Sequence, residues 1–350
     1  MRLTLLIMGL LLVISSSGNA SILRTKDTPL DSLKNINAKL AFTCVSEKIP
    51  APSAEADVLF QYARWLQKNN QLKQDEAVDA EIERLYRIAA ENQHYKANVN
   101  LQNGAVQGNF KLSGEEVLQL SQQLIDAKVA TGYYLIATYL QRGAAGLQQD
   151  ADMALRYYRK AADEGSALAQ TYVADKLAPI DIAPDIALQM RRCAAKQGNG
   201  DAALALGINL SNVKQYELAV KAFQLGAAAG DETSASFLSK GFRGPEPDDR
   251  MYYLGQQEDL ERAERYKKIW SLLADWSYAN PTVPEINDIV PLPPAKLPAW
   301  DGKLKWVEER KANVQPPKPT EALIEQLAKA KLLDPKTGKP LPESPLYEKN

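Results

Sequence analysis

The 350-residue sequence has a single histidine, His94, and two cysteines, Cys44 and Cys193. One histidine excludes an HExxH zinc site. No Gly-x-Ser-x-Gly elbow, P-loop or Cys/His cluster occurs, and two isolated cysteines do not make a structural zinc site. An excess of one charge is also missing: 42 Lys and Arg face 43 Asp and Glu, a formal net charge of -1. Nucleic acid or an anionic membrane would favour a basic surface, so neither is expected as partner. His94 falls at a helix boundary and reads as a turn or surface residue. The carboxylate pairs Asp163-Glu164 and Asp248-Asp249 lie at helix ends and loops, and nothing marks either as an acid and base. The expectation is a protein with no catalytic residue, no metal and no cofactor.

Long apolar runs are scarce too. One run, Leu3 to Ile14, is broken only by Thr4 and Gly9. It is shorter than the about twenty residues that span a bilayer. Arg2 precedes it, and Ser15-Ser-Ser-Gly-Asn-Ala20 follows with small residues at the cleavage positions. Residues 1–20 therefore read as a secretory signal cut after Ala20. The residue directly after the cut is Ser21 rather than cysteine, so lipidation is not expected. In a Gram-negative cell the mature chain would be periplasmic, with no stable membrane anchor. That compartment permits a disulfide. Cys44 and Cys193 are far apart in sequence, and a bridge needs their α-carbons within about 7 Å. A bridge stays open, and two buried thiols are the simpler reading.

What is present is a repeat. Ala54 to Asn69 carries a helical stripe of Val58, Leu59, Tyr62, Ala63, Trp65 and Leu66. Asp79 to Asn92 carries a second, of Ile82, Leu85, Tyr86, Ala89 and Ala90. Later pairs are placed by the ends of their second helices. Gly165, Gly198 and Gly230 sit where a helix end needs a left-handed residue, and Lys128 and Gln93 hold the same place without glycine. The spacings, about 32 to 37 residues, match the helix-pair class of repeat. Gly143 marks the turn inside the central pair. Ala154, Tyr157, Tyr158 and Ala161 align with Ala187, Met190, Arg191 and Ala194, and with Ala219, Ala222, Phe223 and Gly226. The fold expected is all-α, a right-handed α-solenoid of stacked helix pairs over residues 54–242.

The flanks differ. Residues 21–53 read as a lead-in packed on the first pair as a cap. Residues 243–280 hold a long capping helix from about Glu258. Its pairs Glu258–Arg262, Glu261–Arg265 and Glu264–Lys268 form one face, expected to be solvated. Residues 281–350 contain 13 of the 20 prolines. Pro291 to Gly302 cannot be regular helix or central strand, and short helices are expected at about 302–312 and 320–332. Trp300 and Trp306 suggest that this segment packs on the body. The end, from Pro340, is expected to fray.

A solenoid without catalytic groups offers an extended surface for another protein. Its natural lining is the polar and aromatic residues of the first helices: Gln61, Arg64, Tyr95, Gln102, Tyr139, Arg142 and Tyr172. Arg64 and Arg142 suit an acidic partner. Each of these residues has a competing place in the inter-repeat core or on idle surface. Oligomeric state is not readable.

The central unit, Gly143-Ala-Ala-Gly-Leu-Gln-Gln-Asp150 followed by Ala154-Leu-Arg-Tyr-Tyr158-Arg-Lys-Ala-Ala162-Asp-Glu-Gly165, resembles the Sel-one-like repeat (SLR), a relative of the tetratricopeptide. Arg191, where an aromatic is usual, and the non-glycine anchors Gln93 and Lys128 depart from that pattern. Phe42-Thr-Cys44-Val-Ser-Glu47, Ala56-Asp57-x-Leu-Phe60-x-Tyr-Ala63 and the stretch from Val283 to Gly302 resemble a bacterial group of secreted SLR proteins. The resemblance implies a periplasmic immunity protein that neutralises a phospholipase (phospholipase D-like) effector of the type VI secretion system, by covering its active site or membrane approach. A general periplasmic scaffold is the alternative. Some cysteine-rich SLR proteins are linked to β-lactam hydrolysis, but this chain lacks their regular cysteine pairs.

Overall fold

The computed structural model describes residues 40–178 and 183–346. The expected signal segment 1–20, the lead-in up to residue 39 and residues 347–350 lie outside them. Ten helices form the repeating part: α1 Ala54–Asn70, α2 Glu76–Glu91, α3 Tyr95–Val106, α4 Gly114–Asp126, α5 Thr131–Arg142, α6 Ala151–Asp163, α7 Ala167–Leu177, α8 Pro184–Lys196, α9 Gly200–Asn212 and α10 Tyr216–Ala228. A sixth pair follows, α11 Glu232–Gly241 and α12 Leu260–Asp275. Each helix packs on its sequence neighbours, and α5 also packs on α7, α8 on α10 and α9 on α11. This is the expected all-α solenoid.

Local sequence explains the boundaries. Side chains of Ser53, Asp75, Ser113, Asp150, Ser166, Asn199, Asp231 and Asp259 cap helix N-termini, satisfying amides that have no partner within the helix. Pro184 opens α8, where its missing N–H costs nothing. Gly165, Gly198 and Gly230 have φ of 111°, 85° and 94°, and Gln93 and Lys128 follow suit at 64° and 60°. The two non-glycine anchors thus adopt the conformation their spacing assigned to them. Gly143 ends α5 at φ 63°.

The core follows one rule. Seven residues before each anchor stand Tyr86, Ser121, Tyr158, Arg191 and Phe223. All but Ser121 reach from the second helix into the seam between two first helices. Tyr86 donates to Gln67 on α1 (2.9 Å) and accepts from Asn100 on α3 (3.3 Å). Tyr158 donates to Gln141 on α5 (2.7 Å) and stacks on Tyr172 of α7, centroids 3.9 Å apart. Arg191 replaces the ring with two polar arms, to Asp175 on α7 (2.8 Å) and Asn209 on α9 (2.5 Å). Phe223 lies against Gly207 of α9 and stacks on Phe237 of α11 at 4.7 Å.

Ser121 is the exception, and it moves two residues. Its hydroxyl donates to Gln102 Oε1 (2.8 Å), and Tyr139 donates to the same oxygen (3.0 Å). Gln102 is wholly buried and Tyr139 nearly so. They fill the seam that a large side chain fills elsewhere, so neither lies in the surface lining expected for it. Ser121→Tyr, although it restores the repeat pattern, overpacks this seam. It is expected to cost about 1–3 kcal/mol in urea unfolding.

His94 also departs from expectation. It is buried, caps α3 through Nδ1 accepting from Ala97 N (3.1 Å), stacks on Phe60 and approaches Asp57 at 3.2 Å. Burial holds its pKa below the usual histidine value, against the opposing hydrogen bond and charge of Asp57. The folded state therefore prefers the neutral ring, while the unfolded chain binds a proton near pH 6.5. Stability from this site is full above that pH and falls as the pH drops below it. A melting series from pH 8 to 5 should show the decline, and His94→Asn, which keeps a capping side chain, should flatten it.

The remaining chain consists of two straps. Residues 40–47 do not cap the first pair. They cross the later pairs, because Phe42 packs among the α5–α8 side chains and Cys44 is bonded to Cys193 of α8, with α-carbons 5.5 Å apart. The two buried thiols expected are therefore one disulfide. Arg159 Nη2 donates to Ala41 O (2.6 Å), and Gln170 Nε2 to Val45 O (2.9 Å). Glu47 N donates to Gly165 O (3.1 Å), and its carboxylate accepts from Thr131 N (2.6 Å) and Oγ1 (3.0 Å). Helix α5 has no capping side chain of its own, so Glu47 supplies an anion at its positive end.

The second strap, from Pro281, carries α13 Ile286–Ile289, α14 Lys305–Ala312 and α15 Glu321–Lys329. Arg262 on α12 is buried. It pairs with Asp259 rather than Glu258, and donates to Pro291 O (3.1 Å) and Ala295 O (2.8 Å). Arg265 keeps its pair with Glu261 and donates to Ile289 O (2.6 Å). The face expected to be solvated instead grips the strap. Helix α15 packs on α1 and α2, where Arg84 binds Glu321 (2.7 Å) and Pro335 O (2.6 Å). Pro340 pairs with Leu333 in a β-bridge, so the chain stays ordered past the point where fraying was expected. The strap thus joins the last helix pair to the first.

Candidate partner-binding surface

The expected lining residues are scattered. Gln61 is exposed and donates to Asp57, one turn away (3.2 Å). Tyr95 packs at the edge of the α4–α5 core. Arg142 is exposed beside a cavity of about 260 Å³ between α3, α4 and α5. Tyr172 is half-buried, its hydroxyl accepting from Gln141 (3.0 Å), with Lys176 Nζ 5.4 Å from its ring centre.

Arg64 stands in a different setting. It lines a cavity of about 490 Å³ formed by α1, the α1–α2 turn, α3 and the C-terminal strap. The wall is rich in amides, among them Asn100, Asn103, Gln107 and Asn109, and carries two more cations, Lys68 and Arg310. The guanidinium of Arg64 donates to Gln67 Oε1 (2.7 Å), which Tyr86 also binds. Arg310 donates to Lys68 O (2.6 Å) in the last turn of α1, where orphan carbonyls favour a cation. Asn313 holds the strap there through Trp65 Nε1 and Asn69. Partial burial, then the charges of Arg64 and Arg310, hold the Lys68 ammonium below its ordinary range; Glu309 opposes this. Burial pushes the Tyr86 phenol up to about 12, with Arg64 acting the other way.

Sequence reasoning missed Lys68 and Arg310. In the sequence Lys68 reads as part of a polar turn after the helix, whereas it lies in the last turn of α1, and Arg310 follows Arg64 by more than two hundred residues. No pattern could join them without knowing that the strap returns to α1.

A second cavity, about 650 Å³, lies between α2, α4 and the hairpin 333–340. Its buried arginine is paired: Arg87 binds Glu83 and Glu116 and donates to Lys111 O (2.9 Å).

Residues 234–341, which are α11, α12 and most of the strap, match a family described as a domain of unknown function, DUF6396. No curated protein matches the sequence. Three solved structures from Pseudomonas aeruginosa match along nearly their whole length. The immunity protein PA5088 is 27% identical, with 72% of this chain and 94% of that one covered and a TM-score of 0.55. The immunity protein Pa5087 is 25% identical, with 73% and 95% covered and the same TM-score, 0.55. PA5086 is 28% identical, with 72% and 95% covered and a TM-score of 0.53. The chain resembles immunity proteins in both sequence and fold. As in the resemblance drawn from its repeats and flanks, its similar structures include proteins described as immunity proteins. Among the described residues, no helix is long and apolar enough to cross a membrane.

Proposed function

We propose that the chain is a periplasmic immunity protein that binds a lipase-type effector of the type VI secretion system and blocks its active site or membrane approach. The observation that carries this reading is the likeness, across nearly their whole length, to two proteins described as immunity proteins. The Cys44–Cys193 bond supports an oxidising compartment. The surface of stacked pairs supports protein binding over catalysis. A neutralising interface would bury on the order of 1,200–2,000 Å² and hold with about -12 kcal/mol, a nanomolar complex.

The test is to mix the purified chain with any lipase-type effector found encoded beside its gene. A stoichiometric complex on size exclusion and loss of lipid hydrolysis are expected. Full hydrolysis with no complex sinks the reading, and capture of several envelope proteins with no toxin favours the scaffold instead.

A further inference from the structure

We propose that the cavity of Arg64, Lys68 and Arg310 receives an acidic loop of the protein partner, with aspartate or glutamate carboxylates bound by the three cations and the surrounding amides. This rests on the binding role proposed above and names the chemistry of its partner.

The charge balance motivates the assignment. The chain as a whole is nearly neutral, at -1, yet three cations line one cavity with Asp79 as its only carboxylate. Asp79 is already engaged, accepting from Asn70 Nδ2 at 2.8 Å. Glu309, whose charge acts on Lys68, lies 3.8 Å from Lys305. Among the described residues, none of Arg64, Lys68 and Arg310 has a carboxylate within ion-pair distance, whereas Arg84, Arg87, Arg191, Arg262 and Arg265 all do.

The cations are also held in place. Arg64 is braced by Gln67, itself fixed by Tyr86. Arg310 is braced by the Lys68 carbonyl. The end of α1 accounts for the position of Arg310 but not for that of Arg64, whose guanidinium binds the Gln67 side chain. Burial first, and then repulsion from the converging charges of Arg64 and Arg310, makes Lys68 give up its proton more readily. An entering carboxylate relieves that repulsion. Guanidinium groups bind carboxylates through paired N–H donors, and the amides of Asn100, Asn103 and Gln107 can donate to the remaining oxygens. The volume, about 490 Å³, lies within the usual range for binding pockets.

The experiment uses the full chain, as wild type, as Arg64→Gln/Lys68→Gln, and as the triple variant that adds Arg310→Gln. Lys221→Gln, on an exposed face of α10, is the control. Binding is measured to the effector, to a hexaglutamate peptide and to inorganic phosphate. Against the effector, the double variant should weaken binding about tenfold and the triple about hundredfold, with a shallower salt dependence. The control should bind as wild type. The double variant leaves the Arg310 contact with α1 in place, so it tests the cavity even if the triple variant melts early.

Effector binding by wild type and double variant within threefold of each other overturns the proposal. If wild type binds no effector, the immunity reading fails, and the peptide decides the cavity separately. Hexaglutamate binding that the double variant loses sustains an acidic-protein surface; no binding overturns it. Phosphate bound as tightly as hexaglutamate also overturns it, in favour of a small-anion site.

Discussion

Cys193→Ser, or reduction of the Cys44–Cys193 bond, lowers the unfolding free energy by roughly 5 kcal/mol on the loop-entropy relation for a closed loop of 149 residues. The loop runs from the N-terminal strap through α8 and encloses four helix pairs. Without the bond, the strap keeps Phe42 in the core and the Glu47 contacts with Thr131 and Gly165. Those contacts must then hold a chain end whose freedom is no longer limited by the crosslink. Denaturant titration with and without a reductant measures the difference. Proteolysis should nick the reduced chain first near residue 48. A bond that contributes less than about 1 kcal/mol would mean that the strap is fixed by its noncovalent contacts.

Gly230→Ala is expected to cost about 3 kcal/mol or more, and Gly198→Ala only about 1 kcal/mol, although both occupy the same place in the repeat. Both have positive φ, so both carry the penalty of a side chain in the left-handed region. Gln93 and Lys128 show that the helix end tolerates one. Space separates the two glycines. A Cβ on Gly198 meets nothing within 4 Å, while one on Gly230 falls 1.8 Å from the Pro281 carbonyl oxygen. The strap begins there, with Val283 N donating to Ala228 O at 2.8 Å. The alanine must push the strap off the end of α10. Thermal unfolding of the two variants measures the contrast, and equal costs would show that the strap yields freely at Pro281.

The repeat was legible in the sequence because its signals are local. A helical stripe, a capping side chain and a left-handed residue each act within one turn. Spacing alone placed Gln93 and Lys128, whose φ angles match the glycines. What was not legible depends on contacts between distant segments. The burial of Gln102 and Tyr139 follows from a serine at position 121, where other pairs carry a large side chain. The same polar types on the same face remain half-buried at Gln141 and Tyr172, where Tyr158 fills the seam. The disulfide depends on the path of residues 40–47, which composition does not disclose. Arg64 was legible as a candidate, but its setting was not, because Arg310 joins it only when the strap returns to α1. Arg262 and Arg265 carry helix-pair spacing that suggests a solvated face, and the carbonyls they hold come from a proline-rich stretch with no pattern of its own.

The most direct measurement of the immunity role is survival of cells that express a lipase-type effector, taken from beside this chain's gene, in the periplasm. With this chain co-exported, growth should be restored to that of cells without effector, and a version retained in the cytoplasm should give no protection. Equal killing with and without the exported chain, at matched effector levels, would contradict the account.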